Sequence, residues 1–151
     1  MFNESIDQSI CDLDGIEGTS LARREPMTSD LHQRVVKLLP DALIFADRGG
    51  VIRIWNARAE ALFGYPAEEA IGKSLDLIIP EHLRAAHWRG YEAAIASGRT
   101  RLGGKAMLTR AMPRNGGKVY VEVAFSIVTD SSGAVLGAVA IGRPSSKATV
   151  P

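Results

Sequence analysis

Residues 42–56 read ALIFADRGGVIRIWN, and their pattern predicts how the folded part of the chain begins. Two short apolar runs, 42–46 and 51–55, flank the sequence DRGG, whose composition is typical of a tight turn. Runs of this length on either side of such a turn pair readily as antiparallel strands. The stretch therefore predicts a β-hairpin at the start of the folded part of the chain.

Helices are predicted to follow the hairpin directly. Asn56 can cap a helix over ARAEALF, and Gly64 can end it, because glycine readily adopts the left-handed conformation found after a helix. A short piece that starts at Pro66 then leads to the longest helical pattern, PEHLRAAHWRGYEAAIAS over residues 80–97. Its opening Pro-Glu suits a first helical turn, and Gly98 suits its end.

One histidine of this long helix faces the same way as its apolar residues. Steps of four from Leu83 lead to His87, Tyr91 and Ile95, and side chains at that spacing share one helix face. His82 lies about 140° away around the helix and is predicted to face water. An inward imidazole is either a core histidine that hydrogen-bonds within the protein or a neutral ligand for a metal, most plausibly haem iron. The periodicity does not choose between the two.

The second half of the chain alternates apolar and polar residues with period two, which is typical of strands. It predicts strands over 102–112, 118–129 and 134–141, separated by turns at PRNGG and DSSG. Together with the hairpin they give a five-stranded antiparallel sheet with short helices and one long helix on one face, an α+β fold. His87 is then predicted to point into the space between that helix and the sheet.

The domain organisation follows from the two ends of the chain. Residues 1–28 show no sustained periodicity and are predicted to be a flexible tail. Residues 29–40 are predicted to form a short helix, with Ser29 at its cap and an aliphatic face that offers a contact between two copies in a homodimer. The folded domain is predicted over 41–143, and a short polar tail over 144–151.

The composition is that of an ordinary soluble domain. The 151 residues are 46% hydrophobic, and a formal net charge of +1 gives no electrostatic reason for a nucleic acid or a membrane surface as partner. No apolar run is long enough to cross a membrane, and the acidic N-terminus is unlike a signal peptide, so we expect a cytoplasmic protein. The single cysteine, Cys11, excludes an internal disulfide. No catalytic arrangement stands out, so an enzyme is not expected.

The stretch DALIFADRGGVIRIWNARAEALFGYPAEEAIGKSLDLIIPE resembles the PAS family, as does the later Arg-Asn-Gly-Gly turn before an alternating strand. The resemblance spans about residues 30–143 and implies the PAS fold. Within the family, PEHLRAAHWRGY is similar to the haem-binding PAS domains of oxygen-sensing kinases and of a gas-regulated phosphodiesterase. His87 occupies the position of their proximal iron ligand, so the resemblance implies haem b as the cofactor.

The same resemblance implies roles for further residues. Met107 stands where those relatives place a gas-contacting arginine, and its thioether is either a second iron ligand or apolar lining. The cationic Arg99, Arg101 and Lys105 are candidates to meet the haem propionates. The other predicted contributors to the pocket are apolar or aromatic: Leu83, Tyr91, Ile95, Leu102, Val123, Phe125, Leu136 and Val139.

Two functions are predicted as alternatives. In the first, a stand-alone PAS sensor binds haem b through His87 and signals redox state or a diatomic gas to a partner protein, such as a histidine kinase or a regulator. Because the chain ends soon after its last strand, no output domain is expected in the same chain. In the second, a haem-free PAS module binds a small molecule or acts as a dimerising adaptor.

Overall fold

The computed structural model describes residues 21–146, so residues 1–20 of the predicted N-terminal tail and the end of the 144–151 segment lie outside the described residues. Among the described residues, those up to Val35 belong to one compact unit and those from Val36 onward to a second. The second unit contains the sheet and the helices that cover it, and it is the part that positions the candidate site.

The elements follow one another in the order that the sequence pattern predicts. The helices are α1 (Leu21–Leu38), α2 (Ala57–Phe63), α3 (Ala67–Ala70) and α4 (Glu81–Ser97), with a 3₁₀ turn at Leu75–Leu77 before α4. The strands are β1 (Ala42–Asp47), β2 (Ile52–Trp55), β3 (Met107–Ala111), β4 (Val119–Thr129) and β5 (Val135–Pro144).

All five strands of this unit join one antiparallel sheet in the order β2-β1-β5-β4-β3. The first hairpin and the last three strands meet where β1 pairs with β5, with Ala42 opposite Gly142 and Asp47 opposite Gly137. The predicted α+β fold with a five-stranded antiparallel sheet is therefore confirmed.

Asn56 connects three segments of the fold. Its side-chain oxygen accepts hydrogen bonds from the Ala59 backbone N–H, at 3.0 Å, and from that of Leu43, at 2.9 Å. Its amide nitrogen donates to the carbonyl oxygens of Val36 and Asp41, each at 3.0 Å. Asn56 therefore caps α2 as predicted, and it also fixes the start of β1.

The hydrophobic core joins β1, β2 and the short helices to Ala111 of β3 and to Val121 and Val123 of β4. Ile52 is fully buried in it, and Trp55 packs against Phe63 of α2 with ring centroids 5.4 Å apart. Ala59 and Ala70 bring α2 and α3 close to the sheet because their side chains are small and fully buried.

Two elements begin several residues away from their predicted starts. β3 begins at Met107 and not at residue 102, because Gly103 and Gly104 adopt positive φ angles of 57° and 84° and turn the chain before the strand. α1 begins at Leu21, so Ser29 lies inside the helix and not at its cap. The helix-favouring sequence LARRE before Ser29 agrees with this earlier start.

Candidate ligand-binding site

The long helix α4 stands away from the sheet. It ends as predicted at Gly98, whose φ of 69° is left-handed and whose N–H donates to the Ala94 carbonyl oxygen at 2.9 Å. None of its 17 residues is fully buried. His87, Tyr91 and Ala94 are half-buried on its inward face, Ala86 and Gly90 beside them are exposed, and His82 is exposed as predicted. A space therefore remains between α4 and the sheet.

Two cavities occupy this space. The larger has a volume of about 480 Å³ and lies between α4, the loop before β3 and the inner face of the sheet. The smaller, of about 130 Å³, lies closer to β1 and the 3₁₀ turn. Four residues line both: His87, Tyr91, Phe125 and Ala138. His87 thus stands in the wall that the two cavities share.

The His87 imidazole carries an unpaired buried atom. Its Nδ1 is buried and has no hydrogen-bond partner among the described residues. Burial lowers the pKa of His87 below 6.5, and the negative charge of Asp76 opposes that effect only in part. The imidazole is therefore neutral at neutral pH, which is the form that binds metals. A core histidine of the ordinary kind would hydrogen-bond within the protein, and this Nδ1 does not.

Two aromatic neighbours surround His87. The Trp88 ring meets it edge-on at 5.0 Å between centroids, and the Tyr91 ring lies at 5.9 Å. Trp88 Nε1 donates to the Asp76 carboxylate at 2.9 Å. The Tyr91 hydroxyl donates to the backbone carbonyl oxygen of Asp47 at 2.5 Å, and burial raises the pKa of Tyr91 to about 12, so it remains a donor at any physiological pH.

Most of the predicted pocket residues do line this space. The larger cavity is lined by the predicted residues His87, Tyr91, Arg101, Leu102, Met107 and Phe125. The smaller cavity is lined by the predicted Val123 and Val139, with His87, Tyr91 and Phe125 again. Met107 is 41% exposed and Leu102 is 38% exposed, so these two residues stand at the mouth of the larger cavity.

The other predicted residues lie outside both linings: Leu83, Ile95, Arg99, Lys105 and Leu136. Leu136 is 46% exposed because a bulge at Val128/Thr129 shifts the pairing of β4 with the start of β5. Arg99 and Lys105 are exposed on the loop before β3. Of the three predicted cationic residues, Arg101 is the one that reaches the cavity wall.

The prediction missed the small residues of the wall. Ala86, Gly90 and Ala94 follow one another at spacings of four along α4, and Ala138 faces them from β5. Thr109 of β3 lines the smaller cavity. The four-residue spacing of small residues beside His87 is the sequence signal that could have identified this wall.

Among the side chains that the structure describes, residues 28–146, no group of three or more His, Cys, Asp or Glu could hold a metal ion. A single inward histidine is instead what a prosthetic group needs when it supplies the remaining metal ligands itself, as haem does. Within the same residues no helix has the length and apolar character needed to cross a membrane.

The sequence profile of the PAS fold matches residues 31–144, so this chain belongs to the PAS family. The sensor protein FixL of Bradyrhizobium diazoefficiens is 36% identical over 72 residues, which cover 48% of this chain and 13% of that protein. The oxygen sensor protein DosP of Escherichia coli is 32% identical over 78 residues, which cover 52% of this chain and 10% of that protein. The chain therefore spans only a small part of the length of these relatives.

A solved structure confirms the predicted PAS fold. The PAS domain of a protein from Colwellia psychrerythraea matches with a TM-score of 0.68 at 21% identity, over 80% of this chain and 98% of that one. Family and fold together make the chain a PAS domain.

Proposed function

We propose that this chain is a cytoplasmic sensor domain that binds haem b with His87 as the iron ligand. The observation that carries the proposal is the neutral His87 imidazole, whose Nδ1 has no protein partner, in the wall of an apolar cavity of about 480 Å³. An unpaired buried nitrogen costs about 1 to 3 kcal/mol, so a stable fold keeps one mainly where a ligand uses the side chain.

The other residues of the cavity suit the same group. Haem b has a flat apolar body and two carboxylates, and the cavity offers aromatic and small apolar walls with Arg101 beside them. Met107 stands at the mouth, where its thioether is a candidate second iron ligand. The apolar lining would exclude water from the iron.

The relatives support a sensory role for the bound group. One is named a sensor protein and the other an oxygen sensor protein, and their matches extend over 72 and 78 residues of this chain. When bound, haem iron supplies a site for a diatomic gas or for a change of oxidation state. Met107 and Phe125 lie on β3 and β4, so a ligand change at the cavity would act on these strands.

The signal would pass to a partner protein, such as a histidine kinase or a regulator, from a homodimer. The aliphatic side chains of α1 support a contact between two copies, because Leu31, Val35 and Leu38 are 58%, 50% and 68% exposed. The segment 29–40 is therefore proposed as the dimer contact.

The visible spectrum of His87→Ala tests the iron ligand. The wild-type protein with haemin should show a sharp Soret band, and His87→Ala should lose it or shift it while its far-ultraviolet circular dichroism stays native. His82→Ala is the matched control, because His82 is exposed on another face of α4. A Soret band that is unchanged in His87→Ala would remove His87 from the iron.

Met107→Leu tests the second ligand separately. Leucine keeps the apolar volume but has no sulfur, so the ferrous spectrum should change from a six-coordinate to a five-coordinate form if Met107 binds the iron. An unchanged ferrous spectrum would make Met107 part of the apolar lining, and it would leave the role of His87 intact.

A second candidate function is a haem-free module that binds a small apolar molecule with an anionic end, or a dimerising adaptor. The larger cavity favours the small molecule, because Arg101 offers one guanidinium in a lining that is otherwise largely apolar. The cavity opens to solvent beside Leu102. Native mass spectrometry of the purified protein decides between the two groups, because haem b and a smaller bound acid differ in mass.

A further inference from the structure

Gly90 lies in the interior of α4, where the backbone conformation does not require a glycine. Glycine is among the least favourable residues inside a helix, because it loses more conformational freedom on folding than any other residue. It is useful where φ must be positive, as at Gly98. Gly90 is not among the glycines with positive φ, so an alanine could adopt the same backbone conformation.

Close packing does not require a glycine at position 90 either. A Cβ atom built on Gly90 would meet no heavy atom within 4 Å, outside its own helix backbone. Gly50 is the opposite case, because there the added atom would overlap the Trp88 ring. The space in front of Gly90 is open, and Gly90 lines the larger cavity.

The neighbours of Gly90 along the same face of α4 also have small side chains. Ala86 and Ala94 lie one turn before and one turn after it, and both line the same cavity. His87 lies three positions before Gly90, so its imidazole shares one helix face with these small residues. A flat molecule beside His87 would therefore meet backbone and methyl groups along the Ala86–Ala94 part of α4.

We propose that Gly90 is a specificity-determining residue at which the ligand of the larger cavity lies directly against the α4 backbone. This inference rests on the proposed function and adds to it the residue that sets the width of the cavity. A side chain at position 90 would narrow the space between α4 and the sheet and exclude a flat ligand, while His87 stays in place.

Two variants of Gly90 and one control test the inference with haemin as the probe. Gly90→Ala should raise the melting temperature of the haem-free protein, because alanine favours the helix and meets no neighbour. Gly90→Leu should weaken haemin binding about tenfold or more, because its side chain occupies the cavity. Ala93→Leu is the control, because Ala93 is exposed and lines neither cavity, and it should bind haemin as the wild type does.

The outcomes separate this inference from the proposed function. Equal haemin affinity for the wild type and a folded Gly90→Leu would overturn the role of Gly90 and leave His87 as the ligand. If Gly90→Leu does not fold, Gly90→Ala decides: weaker haemin binding at a higher melting temperature supports the inference, and unchanged affinity overturns it. A folded wild type that binds no haemin would overturn the proposed function, and this inference with it.

Discussion

The protonation of His87 is set by two opposing effects in its surroundings. Burial disfavours the charged imidazole, and the Asp76 carboxylate favours it, with burial the larger effect. The Trp88 indole donates a hydrogen bond to the Asp76 Oδ1 atom, and the Arg84 Nε atom forms an ion pair with the same oxygen at 3.8 Å. Arg84 therefore partly neutralises the charge with which Asp76 acts on His87.

The lowered pKa of His87 predicts a stability that depends on pH in the haem-free protein. Between the folded-state pKa and 6.5, the unfolded chain binds more protons than the folded one, so the free energy of unfolding falls as the pH drops. His87→Gln lacks the titrating group. Urea denaturation at about pH 7.5 and about pH 5.5 should show the wild type losing more stability than this variant. A difference between them that does not change with pH would contradict the prediction.

Among the secondary-structure elements, α4 contacts the first hairpin through two side chains, Trp88 and Tyr91, which also pack against the edge of the core. The Trp88 ring lies over Gly50 in the β1–β2 turn, and the Tyr91 hydroxyl donates to the Asp47 carbonyl oxygen in the same turn. Because both contacts come from residues next to His87, the helix can stand away from the sheet and still keep a fixed position. This arrangement leaves room for the cavities.

Gly50→Ala should therefore be strongly destabilising. Gly50 has a φ of 78°, which alanine rarely adopts, and its Cβ would overlap the Trp88 ring. We expect a loss of about 2 to 4 kcal/mol in the free energy of unfolding by urea. Gly49→Ala is the matched control in the same turn, since its nearest neighbour would be the Asp47 carboxylate at 3.5 Å. Equal losses in the two variants would show that Trp88 does not hold the turn.

Asn56→Ala should destabilise the fold, because it removes the hydrogen bonds that join the ends of three elements. The change removes four hydrogen bonds and leaves the Leu43 N–H without its acceptor inside the fold. We expect a loss of about 2 to 4 kcal/mol in urea denaturation. Asn115→Ala is the control, because exposed Asn115 accepts one hydrogen bond, from the Gly117 N–H, within its own turn. A loss no larger than that of Asn115→Ala would contradict the role of Asn56.

At the scale of the whole molecule, the sequence predicted the features that depend on neighbouring residues. The Asn56 cap, the turn after β1 and the glycine ends of α2 and α4 follow from local backbone chemistry. The cavity lining depends on long-range pairing and was predicted only in part. Leu136 was predicted to line the pocket because the alternation of apolar residues does not reveal a β-bulge. The small residues of the wall were not predicted because a pocket lining is usually expected from large apolar side chains.

The proposed homodimer predicts a change of mass when the exposed aliphatic face of α1 is made polar. Leu31→Asp combined with Val35→Asp should convert a dimer into a monomer in analytical ultracentrifugation, because both side chains are largely exposed in the single chain. Gln33→Asp adds charge to the same helix at another exposed position and should leave the dimer intact. A wild type that sediments as a monomer at all concentrations would contradict a dimer through this helix.

The space beside His87 is proposed to take one haem b per chain. A titration of haemin into the purified wild-type protein, followed at the Soret band, tests this proposal. We expect saturation at one haemin per chain and a sharp band that His87→Ala does not reproduce. A titration that rises without saturation, equally in the wild type and in His87→Ala, would contradict it.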